Sequence, residues 1–488
     1  MLTGIIALPF YITEMGAEAY GLVGFFTMLQ AWFNLLDLGL TPTISRETAR
    51  FRAGTHSPLT FSRLYRALNL LFFMIAIIGG GILLLASDNI AENWLKAESL
   101  SISEISFALK VMAISVALRW MTGLYRGMVT GSEQLVWLSG FNVLIAFLRF
   151  IVVFLIMRIY GATPAVFFSY QLLIAILEFI GLWHKSKTLQ PELSSEERSI
   201  VGWSIKPIKP FLKFSLSIAL TSGIWVLVTQ VDKLLMSKLL SLEDYGYFTL
   251  AVLVATGIMM VSGPISNAIL PRMSKLEAEN KRDEMIRVYR DSTQIVTVIA
   301  GTAAIMLVMF AEPILYVWTG DKNIVEVATP ILQLYAFGYG LLAVAAFPYY
   351  LQYAMGLLKL HIIGSLLFVA ALLPGLWWAT ERFGMIGAGY AWVLVNLFYF
   401  LIWTFVVHKM YAKEIHFQWL MKDIFAIIAL PIVVAGFLML FFVETNRITM
   451  TIELLIIGLI LLAFAAISSK KIRESIFRKI KQEGYDRS

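Results

Sequence analysis

One arginine lies in the middle of a long apolar segment, and the presence of a charged side chain there requires an explanation. Arg149 lies about twelve residues into the segment 137–157. An ionisable side chain at the centre of a membrane span costs roughly 2.5–3.5 kcal/mol on insertion scales. We expect Arg149 to face a water-filled cavity and to bind an anion there, with Asn142, two turns earlier on the same helical face, beside it. The alternative is a structural pair between Arg149 and a carboxylate of another helix.

A stripe of polar side chains runs along a second apolar segment, 20–43. Gln30, Asn34 and Asp37 follow one another at i, i+4 and i+7, so they share one face of a helix. Such a stripe predicts the wall of a substrate-binding cleft. Hydrogen bonds that merely hold this helix against its neighbours are the alternative.

Two further segments carry ionisable side chains. Lys233, in the segment 213–237, is a candidate substrate-binding cation, but it lies near the end of its segment, where a lysine can snorkel to the membrane surface. Gln171 and Glu178 share one face of the segment 165–183, and Glu178 is expected to lie close enough to the surface to be solvated. Neither segment offers as sharp a candidate as the arginine in 137–157.

No constellation of catalytic or metal-binding residues occurs in the sequence. The chain has no cysteine and five scattered histidines, so no zinc or haem spacing exists. Walker A, G-x-S-x-G and H-E-x-x-H motifs are absent. The largest loop expected on the outer side, 87–104, is small and carries little chemistry. We therefore predict a protein that is not an enzyme, with no catalytic residues, no metal and no cofactor, and with H⁺ or Na⁺ as the coupling ion if one is used.

The elements that must position these side chains are transmembrane helices. The chain of 488 residues is 59% apolar and 15% charged, whereas soluble domains are roughly 45–50% apolar and about 25% charged. Apolar runs of about 20 residues, enough to cross a bilayer, recur along the whole chain. The sequence predicts an all-α polytopic membrane protein with about fourteen spans: 1–13, 20–43, 64–86, 105–124, 137–157, 165–183, 213–237, 245–268, 291–317, 329–351, 357–378, 384–407, 424–443 and 450–468.

The basic residues indicate which side of the membrane each connection faces. The count uses connections that take in the adjoining ends of the spans. The even-to-odd connections are 44–66, 119–135, 184–213, 270–290, 352–361 and 408–422, and together with the C-terminal tail they contain 30 of the 39 lysines and arginines. Six lie in the odd-to-even connections, and three lie in the remaining parts of the spans. This count places Arg119 and Arg126 in the connection 119–135. Because basic residues accumulate on the cytoplasmic side, both termini are predicted to be cytoplasmic. The same rule explains the net charge of +7 without a nucleic-acid partner.

Two stretches of the chain resemble each other. The stretch 20–49 opens on Tyr-Gly and closes on Pro-x-x-Ser-Arg-x-x-Ala, and the stretch 245–278 opens on Tyr-Gly and closes on Pro-x-x-Ser-Lys-x-x-Ala. An even number of spans separates the copies, which indicates two parallel six-helix lobes. Arg46 and Lys275 lie at equivalent places near the cytoplasmic ends and are candidate gate residues, although topology alone would also place basic residues there.

The repeat and the polar connections divide the chain into five parts. These are an N-terminal six-helix lobe (1–183), a cytoplasmic inter-lobe linker (184–212), a C-terminal six-helix lobe (213–407), two additional transmembrane helices (408–468) and a basic cytoplasmic tail (469–488). The tail is interpreted as a topology-fixing segment, with a surface helix near anionic lipid headgroups as the alternative. The first span is short for a full crossing, so we expect the natural start to lie upstream; a naturally short helix is the alternative.

Several short motifs occur in order along nearly the whole chain. They are Tyr20-Gly21, Asp37-Leu-Gly-Leu40 followed by Arg46, Asp232-Lys233 preceding Leu242-Glu-Asp-Tyr-Gly246, Pro271, and Gly384-x-x-Gly387. As an ordered set they resemble the multidrug/oligosaccharidyl-lipid/polysaccharide (MOP) exporter superfamily, and within it the polysaccharide transporter branch of O-antigen and exopolysaccharide flippases (Wzx-like). The chain departs from the family at its N-terminus, where a basic stretch and a complete first helix are usual.

The resemblance implies transport of a lipid-linked oligosaccharide, that is, a polyprenyl-pyrophosphate-linked glycan. The substrate would cross the bacterial cytoplasmic (inner) membrane by alternating access, for surface polysaccharide biosynthesis. A cationic cleft between the lobes would hold the pyrophosphate and the glycan, and proton or sodium antiport would be one drive. The expected partners are the lipid-linked glycan, membrane lipids and polysaccharide polymerase or assembly proteins.

Two other functions stay open on the sequence. A cation-coupled multidrug exporter of the same superfamily has the same architecture. Such an exporter would require a cluster of carboxylates in one lobe, whereas Asp37, Asp232 and Glu178 are isolated in this sequence. A non-transporting membrane scaffold of a polysaccharide-assembly complex belongs to a different class. The scaffold alone predicts no change in the leaflet distribution of a labelled lipid-linked sugar in liposomes.

Overall fold

The computed structural model describes residues 10–37, 39–443 and 445–475, which are largely helical. Among them, β-structure amounts to an isolated bridge between Lys96 and Ser241. Numbered in chain order, the helices are α1 (Ala17–Phe33), α2 (Leu40–Arg52), α3 (Pro58–Asn93), α4 (Ile102–Gly131), α5 (Leu135–Tyr160), α6 (Pro164–Thr188), α7 (Ser195–Ile200), α8 (Leu212–Leu239), α9 (Leu242–Ala278), α10 (Arg282–Met309), α11 (Ala311–Thr319), α12 (Lys322–Ala354), α13 (Lys359–Tyr411), α14 (Ile415–Leu440) and α15 (Arg447–Ser468).

Within the described residues, eleven helical segments are long and apolar enough to cross a membrane. The longest, α13, has non-helical backbone at Gly384 (φ 57°, ψ −144°), where two helices meet at a kink. The kink falls at the start of the predicted span 384–407. The all-α polytopic membrane class is thereby confirmed. The number of fourteen spans stays a prediction, because most of the first predicted span, 1–13, lies outside the described residues, as does most of the predicted basic tail.

The chain forms two compact units, Met1–Gly246 and Tyr247–Ser488. In the first unit, α4 packs against α2, α3 and α6. Its core includes the stacked rings of Phe72 and Trp120, whose centroids are 4.4 Å apart. In the second unit, α12 packs against α13 and α14 packs against α15. The predicted division into lobes, linker and additional helices stays a prediction.

Three glycines at four-residue spacing let α2 approach α4 closely. A Cβ atom on Gly131 would lie 2.1 Å from the carbonyl oxygen of Ser45, and one on Gly127 would lie 2.5 Å from a methyl carbon of Ile44. Gly123, one turn earlier, faces the hydroxyl of Thr41 in the same way. Small residues at this spacing allow two transmembrane helices to come into backbone contact.

The predicted connection 119–135 is wrong in its extent, because α4 continues as a helix to Gly131. The apolar run ends before the helix does. The last turns of α4 have one polar face, but their other face packs against α2 and this packing stabilises them. Arg119 and Arg126 therefore lie on a helix and not in a loop. Sequence hydropathy alone reads such a half-polar stretch as a connection.

The predicted span 20–43 is also wrong as one continuous helix. Helix α1 ends at Phe33, and a short 3₁₀ turn covers Asn34–Asp37. Gly39 then takes a left-handed backbone (φ 72°) and α2 begins at the next residue. A glycine adopts this conformation without the steric cost that other residues meet. The polar stripe therefore lies where one helix gives way to another.

In the second unit, a buried carboxylate fastens α14 to α10. Asp423 is fully buried and accepts hydrogen bonds from Arg290 (2.6 and 3.2 Å) and from Gln294 (2.8 Å). The amide oxygen of Gln294 accepts in turn from the hydroxyl of Ser469, just beyond α15, at 3.0 Å. Because a buried charge must be paired and hydrogen-bonded, this network holds the last two helices against α10.

Candidate functional site

The first unit contains a polar cavity of about 520 Å³ among its membrane-spanning helices. Helices α1, α4, α5 and α6, together with the 3₁₀ turn after α1 and the start of α2, supply its polar side chains. These are Gln30, Asn34, Asp37, Thr41, Arg119, Thr122, Arg126, Arg149 and Glu178, and Gly223 and Val226 of α8 line the cavity as well.

One carboxylate joins two of the arginines. Glu178 on α6 is 5% exposed. Its Oε1 accepts a hydrogen bond from Arg126 of α4, and its Oε2 accepts one from Nη2 of Arg149 of α5 at 2.5 Å. Arg126 donates a further hydrogen bond to the amide oxygen of Asn142 at 2.6 Å. The expectation that Glu178 is simply solvated is wrong, because two guanidinium groups cover its carboxylate.

The third arginine, Arg119, is held by neutral groups. Its terminal nitrogens donate to the amide oxygens of Gln30 and Gln171, each at 2.9 Å. Its guanidinium carbon lies 4.9 Å from the centre of the Phe26 ring, which favours a cation. Within the described part of the chain, Arg119 forms no salt bridge and its Nε has no hydrogen-bond partner. Arg119 therefore lines the cavity with no carboxylate of the described residues within salt-bridge distance.

These contacts form two rungs between α4 and α6. Arg119 contacts Gln171 in one rung, and Arg126 contacts Glu178 in the other. The partners on each helix are seven residues apart, about 10.5 Å along the axis. In the first rung, the charged Arg119 donates a hydrogen bond to the neutral amide of Gln171. In the second rung, Arg126 and Glu178 form an ion pair.

A π-helical segment in α5, Leu148–Val152, positions Arg149. The wider turn leaves backbone carbonyl groups free to accept hydrogen bonds from side chains. The carbonyl oxygen of Leu148 accepts from the Tyr170 hydroxyl at 2.8 Å, and that of Arg149 accepts from the Gln171 amide at 3.2 Å. Such π segments frequently occur at functional sites. Here the segment couples the backbone of Arg149 to the glutamine that binds Arg119.

Most of the predicted substrate-binding residues come together at this cavity. Gln30, Asn34, Asp37 and Arg149 line it, and Asn142 reaches it through Arg126. The side chain of Asn34 is exposed, whereas the carboxylate of Asp37 accepts a hydrogen bond from the Thr41 hydroxyl at 2.6 Å. For Arg149, the structure contains both arrangements considered from sequence, the cavity and the carboxylate pair. Substrate binding by these residues stays a prediction.

The other predicted site residues lie elsewhere. The ammonium group of Lys233 donates to the Thr229 carbonyl at 2.6 Å and lies 3.5 Å from Asp232, and Lys233 does not line the cavity described above. Arg46 is half exposed and lies 3.9 Å from the buried carboxylate of Glu47. In the second unit, Lys275 is exposed and lies 3.8 Å from Glu279. The gate role of Arg46 and Lys275 stays a prediction.

Sequence reasoning missed Arg119 and Arg126 as cavity residues. The signal was present, because their seven-residue spacing places both on one face of a helix, as does the spacing of Gln171 and Glu178. The boundary assigned to the fourth span hid this signal. Two equal spacings on two spans of the same direction were the clue to the rungs.

The cavity is suited to bind an anion with several oxygen atoms. Its three guanidinium groups outnumber its two carboxylates, Asp37 and Glu178. Guanidinium groups present planar, paired donors that match phosphate oxygens. Among the described residues, no group of three or more acidic or histidine side chains could hold a metal ion. The three guanidinium groups that line the cavity are suited to recognise a polar anion.

Sequence comparisons give relatives over most of the chain. A family model described as "Polysaccharide biosynthesis protein" matches residues 1–277, and the MatE model matches residues 217–363. A Shigella flexneri protein named for O-antigen transport is 23% identical over 398 residues, which cover 80% of this chain and 90% of that protein. These matches agree with the resemblance expected from the ordered motifs.

Solved structures share the fold. The lipid II flippase MurJ in its inward closed conformation aligns with a TM-score of 0.74 at 15% identity, covering 96% of each chain. An inward-facing multidrug resistance MATE family transporter of the MOP superfamily aligns with a TM-score of 0.64 at 13% identity, covering 84% of this chain and 96% of that one. The predicted membership of the MOP superfamily is confirmed, and with it the expectation that the protein is not an enzyme. Since the family model covers more than half of the 488 residues, the chain belongs to the polysaccharide biosynthesis protein family.

Proposed function

We propose that the protein is a flippase for a polyprenyl-pyrophosphate-linked oligosaccharide. It moves this lipid from the inner to the outer leaflet of the bacterial cytoplasmic membrane, for surface polysaccharide biosynthesis. The observation that carries the proposal is the arrangement of Arg119, Arg126 and Arg149 around one cavity among spanning helices. Membership of a polysaccharide biosynthesis family and similarity to a protein named for O-antigen transport support the substrate class.

Arg119 supplies the main argument for an anionic substrate. A cation among spanning helices is costly and needs compensation. In the described chain, Arg119 has two amide oxygens and an aromatic ring as partners. A pyrophosphate brings the missing negative charge and several acceptor oxygens. We therefore assign to Arg119 the first contact with the pyrophosphate.

The neutral polar side chains of the cavity suit the glycan. Gln30 and Asn34 carry amide groups, which both donate and accept hydrogen bonds and so match sugar hydroxyls. Asn34 is exposed at the cavity, and the amide oxygen of Gln30 already accepts a hydrogen bond from Arg119. In this arrangement the sugar proximal to the pyrophosphate contacts α1 while the phosphates contact α4.

We propose that transport proceeds by alternating access and that both termini lie in the cytoplasm. A proton or sodium gradient, or the gradient of the substrate itself, supplies the free energy. The delivered lipid-linked glycan then becomes available to polymerase or assembly proteins on the outer side. The basic connections, counted from sequence, support this orientation.

The state of the cavity carboxylates favours a flippase over a cation-coupled drug exporter. A binding site for a cationic drug requires carboxylates that are available to the drug. Glu178 is instead covered by two guanidinium groups, and Asp37 accepts hydrogen bonds from Thr41. The positive groups of the cavity would repel a cationic drug.

A liposome assay tests the proposal. Purified protein is reconstituted with a fluorescent lipid-linked sugar pyrophosphate, and the fraction accessible in each leaflet is followed over time. The wild type should accelerate exchange between leaflets. Arg119→Gln should slow it by about tenfold to a hundredfold, since a hydrogen bond to a charged group contributes about 1.5–3 kcal/mol. Arg198→Gln, an exposed arginine of α7, is the matched control.

Two outcomes would contradict the proposal. A wild-type protein that leaves the leaflet distribution unchanged would favour the scaffold. Flipping by Arg119→Gln at the wild-type rate would contradict the assignment of the first pyrophosphate contact to Arg119, which supplies the main support for an anionic substrate.

A further inference from the structure

We propose that Glu178 is a resident counter-ion that the anionic group of the substrate displaces, and that its return drives release of the substrate. This inference rests on the proposed function and assigns a regulatory role within the same cavity. Glu178 would act as a positioning residue, because it acts on the substrate through Arg126 and Arg149.

The contacts of Glu178 place it in competition with an anion that binds Arg126 or Arg149 through Nη2. Its two carboxylate oxygens each take one guanidinium group, from Arg126 and from Arg149. A phosphate that binds either arginine through the same nitrogens must compete with Glu178. Arg119 offers its charge without such competition, because its partners are neutral amides. Binding is therefore expected in two stages, first at Arg119 and then by exchange at the ion-paired rung.

Competition by Glu178 would allow the substrate to leave a cavity whose three arginines, if unpaired, would hold it too tightly. A transported ligand must bind strongly enough to enter its site and weakly enough to leave it. Three guanidinium groups without a competing carboxylate would hold a pyrophosphate too tightly for rapid release. A displaced Glu178, tethered on α6, stays close to Arg126 and Arg149 and competes with the phosphate for their guanidinium groups. The same carboxylate compensates the two cations while the cavity is empty.

The substitution Glu178→Gln separates this role from a purely structural one. Glutamine keeps the size of the side chain and an oxygen that can accept from the arginines, but it removes the competing charge. Binding of inorganic pyrophosphate to the purified full chain in lipid nanodiscs should become about tenfold tighter. Flipping of the labelled lipid should become slower, because release limits turnover. A structural counter-ion would instead give weaker binding in a less stable protein.

A second comparison keeps the test decisive if Glu178→Gln does not accumulate. Arg126→Gln alone leaves Glu178 paired with Arg149. The double variant R126Q/E178Q removes one charge of each sign and frees Arg149 from its competitor. Its pyrophosphate affinity should exceed that of R126Q. Equal or weaker binding by the double variant overturns the inference.

The outcomes also distinguish this inference from the proposed function. If the wild type flips the labelled lipid and Glu178→Gln binds pyrophosphate no more tightly than the wild type, the counter-ion role is wrong and the flippase stands. If the wild type neither binds pyrophosphate nor flips the lipid, both proposals are wrong. Tighter binding together with slower flipping supports both.

Discussion

The Nη2 atom of Arg149 lies 2.5 Å from Oε2 of Glu178, inside the wall of a polar cavity. This pair joins α5 to α6, and Arg126 adds α4 through the other carboxylate oxygen. One side chain thus links three spanning helices and balances part of the positive charge. Arg149 is therefore a cavity residue and a structural partner at once, and its two roles must be separated by substitutions that change one partner at a time.

Removal of both guanidinium groups that bind Glu178 should cost more than the sum of the two single removals. In Arg126→Gln or Arg149→Gln, the carboxylate keeps one cationic partner. In the double variant it is buried and unpaired, which should cost about 3–5 kcal/mol of unfolding free energy. Thermal unfolding in detergent measures the difference. Adding Glu178→Gln to the double variant should recover much of the loss, and strictly additive effects would contradict this account.

Gly131→Ala should disrupt the contact between α2 and α4. The added Cβ would lie 2.1 Å from the carbonyl oxygen of Ser45, so the backbone of α2 must shift. Overpacking of this kind typically costs about 1–3 kcal/mol, which should lower the unfolding temperature. Gly140→Ala on α5 meets open space and is the matched control, expected to be neutral or stabilising by up to about 1 kcal/mol. Equal unfolding temperatures for the two variants would rule out the close helix contact.

The membrane fold could be predicted because the bilayer imposes a simple rule on sequence. Apolar runs of about 20 residues mark the spans, and the kink at Gly384 lies at a predicted boundary. The boundaries that failed are those where a helix carries polar residues toward a cavity. Hydropathy cannot separate such a helix from a loop, and it therefore placed Arg126 in a connection.

The cavity could be predicted only in part for a related reason. Arg149 stands out because its sequence neighbours are apolar, and Gln30 and Asp37 stand out through their spacing. The partner of Arg149 does not, because Glu178 is 29 residues away and pairing depends on how α5 packs on α6. Helical spacing identifies a shared face, but tertiary packing decides which faces meet.

Glu18 should prove important for the order of the loop before α4. Its buried carboxylate accepts backbone hydrogen bonds from Glu98, Ser99 and Leu100, at distances of 2.5–3.1 Å. Glu18→Gln removes the charge and should cost about 1.5–3 kcal/mol, the range for hydrogen bonds to charged groups. Thermal unfolding and protease cleavage within the loop measure the effect. Glu98→Gln, whose side chain is exposed, should leave both unchanged.

If the loop before α4 were cleaved no faster in Glu18→Gln than in the wild type, the hydrogen bonds of Glu18 would not be what orders this loop. If Glu98→Gln proved equally damaging, loss of a negative charge at this end of the molecule, and not the specific hydrogen bonds, would be responsible. The two variants together therefore separate geometry from charge.

The absence of cysteine makes the predicted orientation directly testable. Lys275 is an exposed residue near the end of α9, in a stretch expected to be cytoplasmic, and it is replaced by cysteine in Lys275→Cys. Glu98→Cys lies in a loop expected to be outside. A membrane-impermeant maleimide should label Glu98→Cys in spheroplasts and should label Lys275→Cys only after permeabilisation. The reason is the positive-inside distribution of lysine and arginine. The unsubstituted chain, which cannot react, is the control. The reverse labelling pattern would invert the orientation and place the candidate gate residue Lys275 on the outer side.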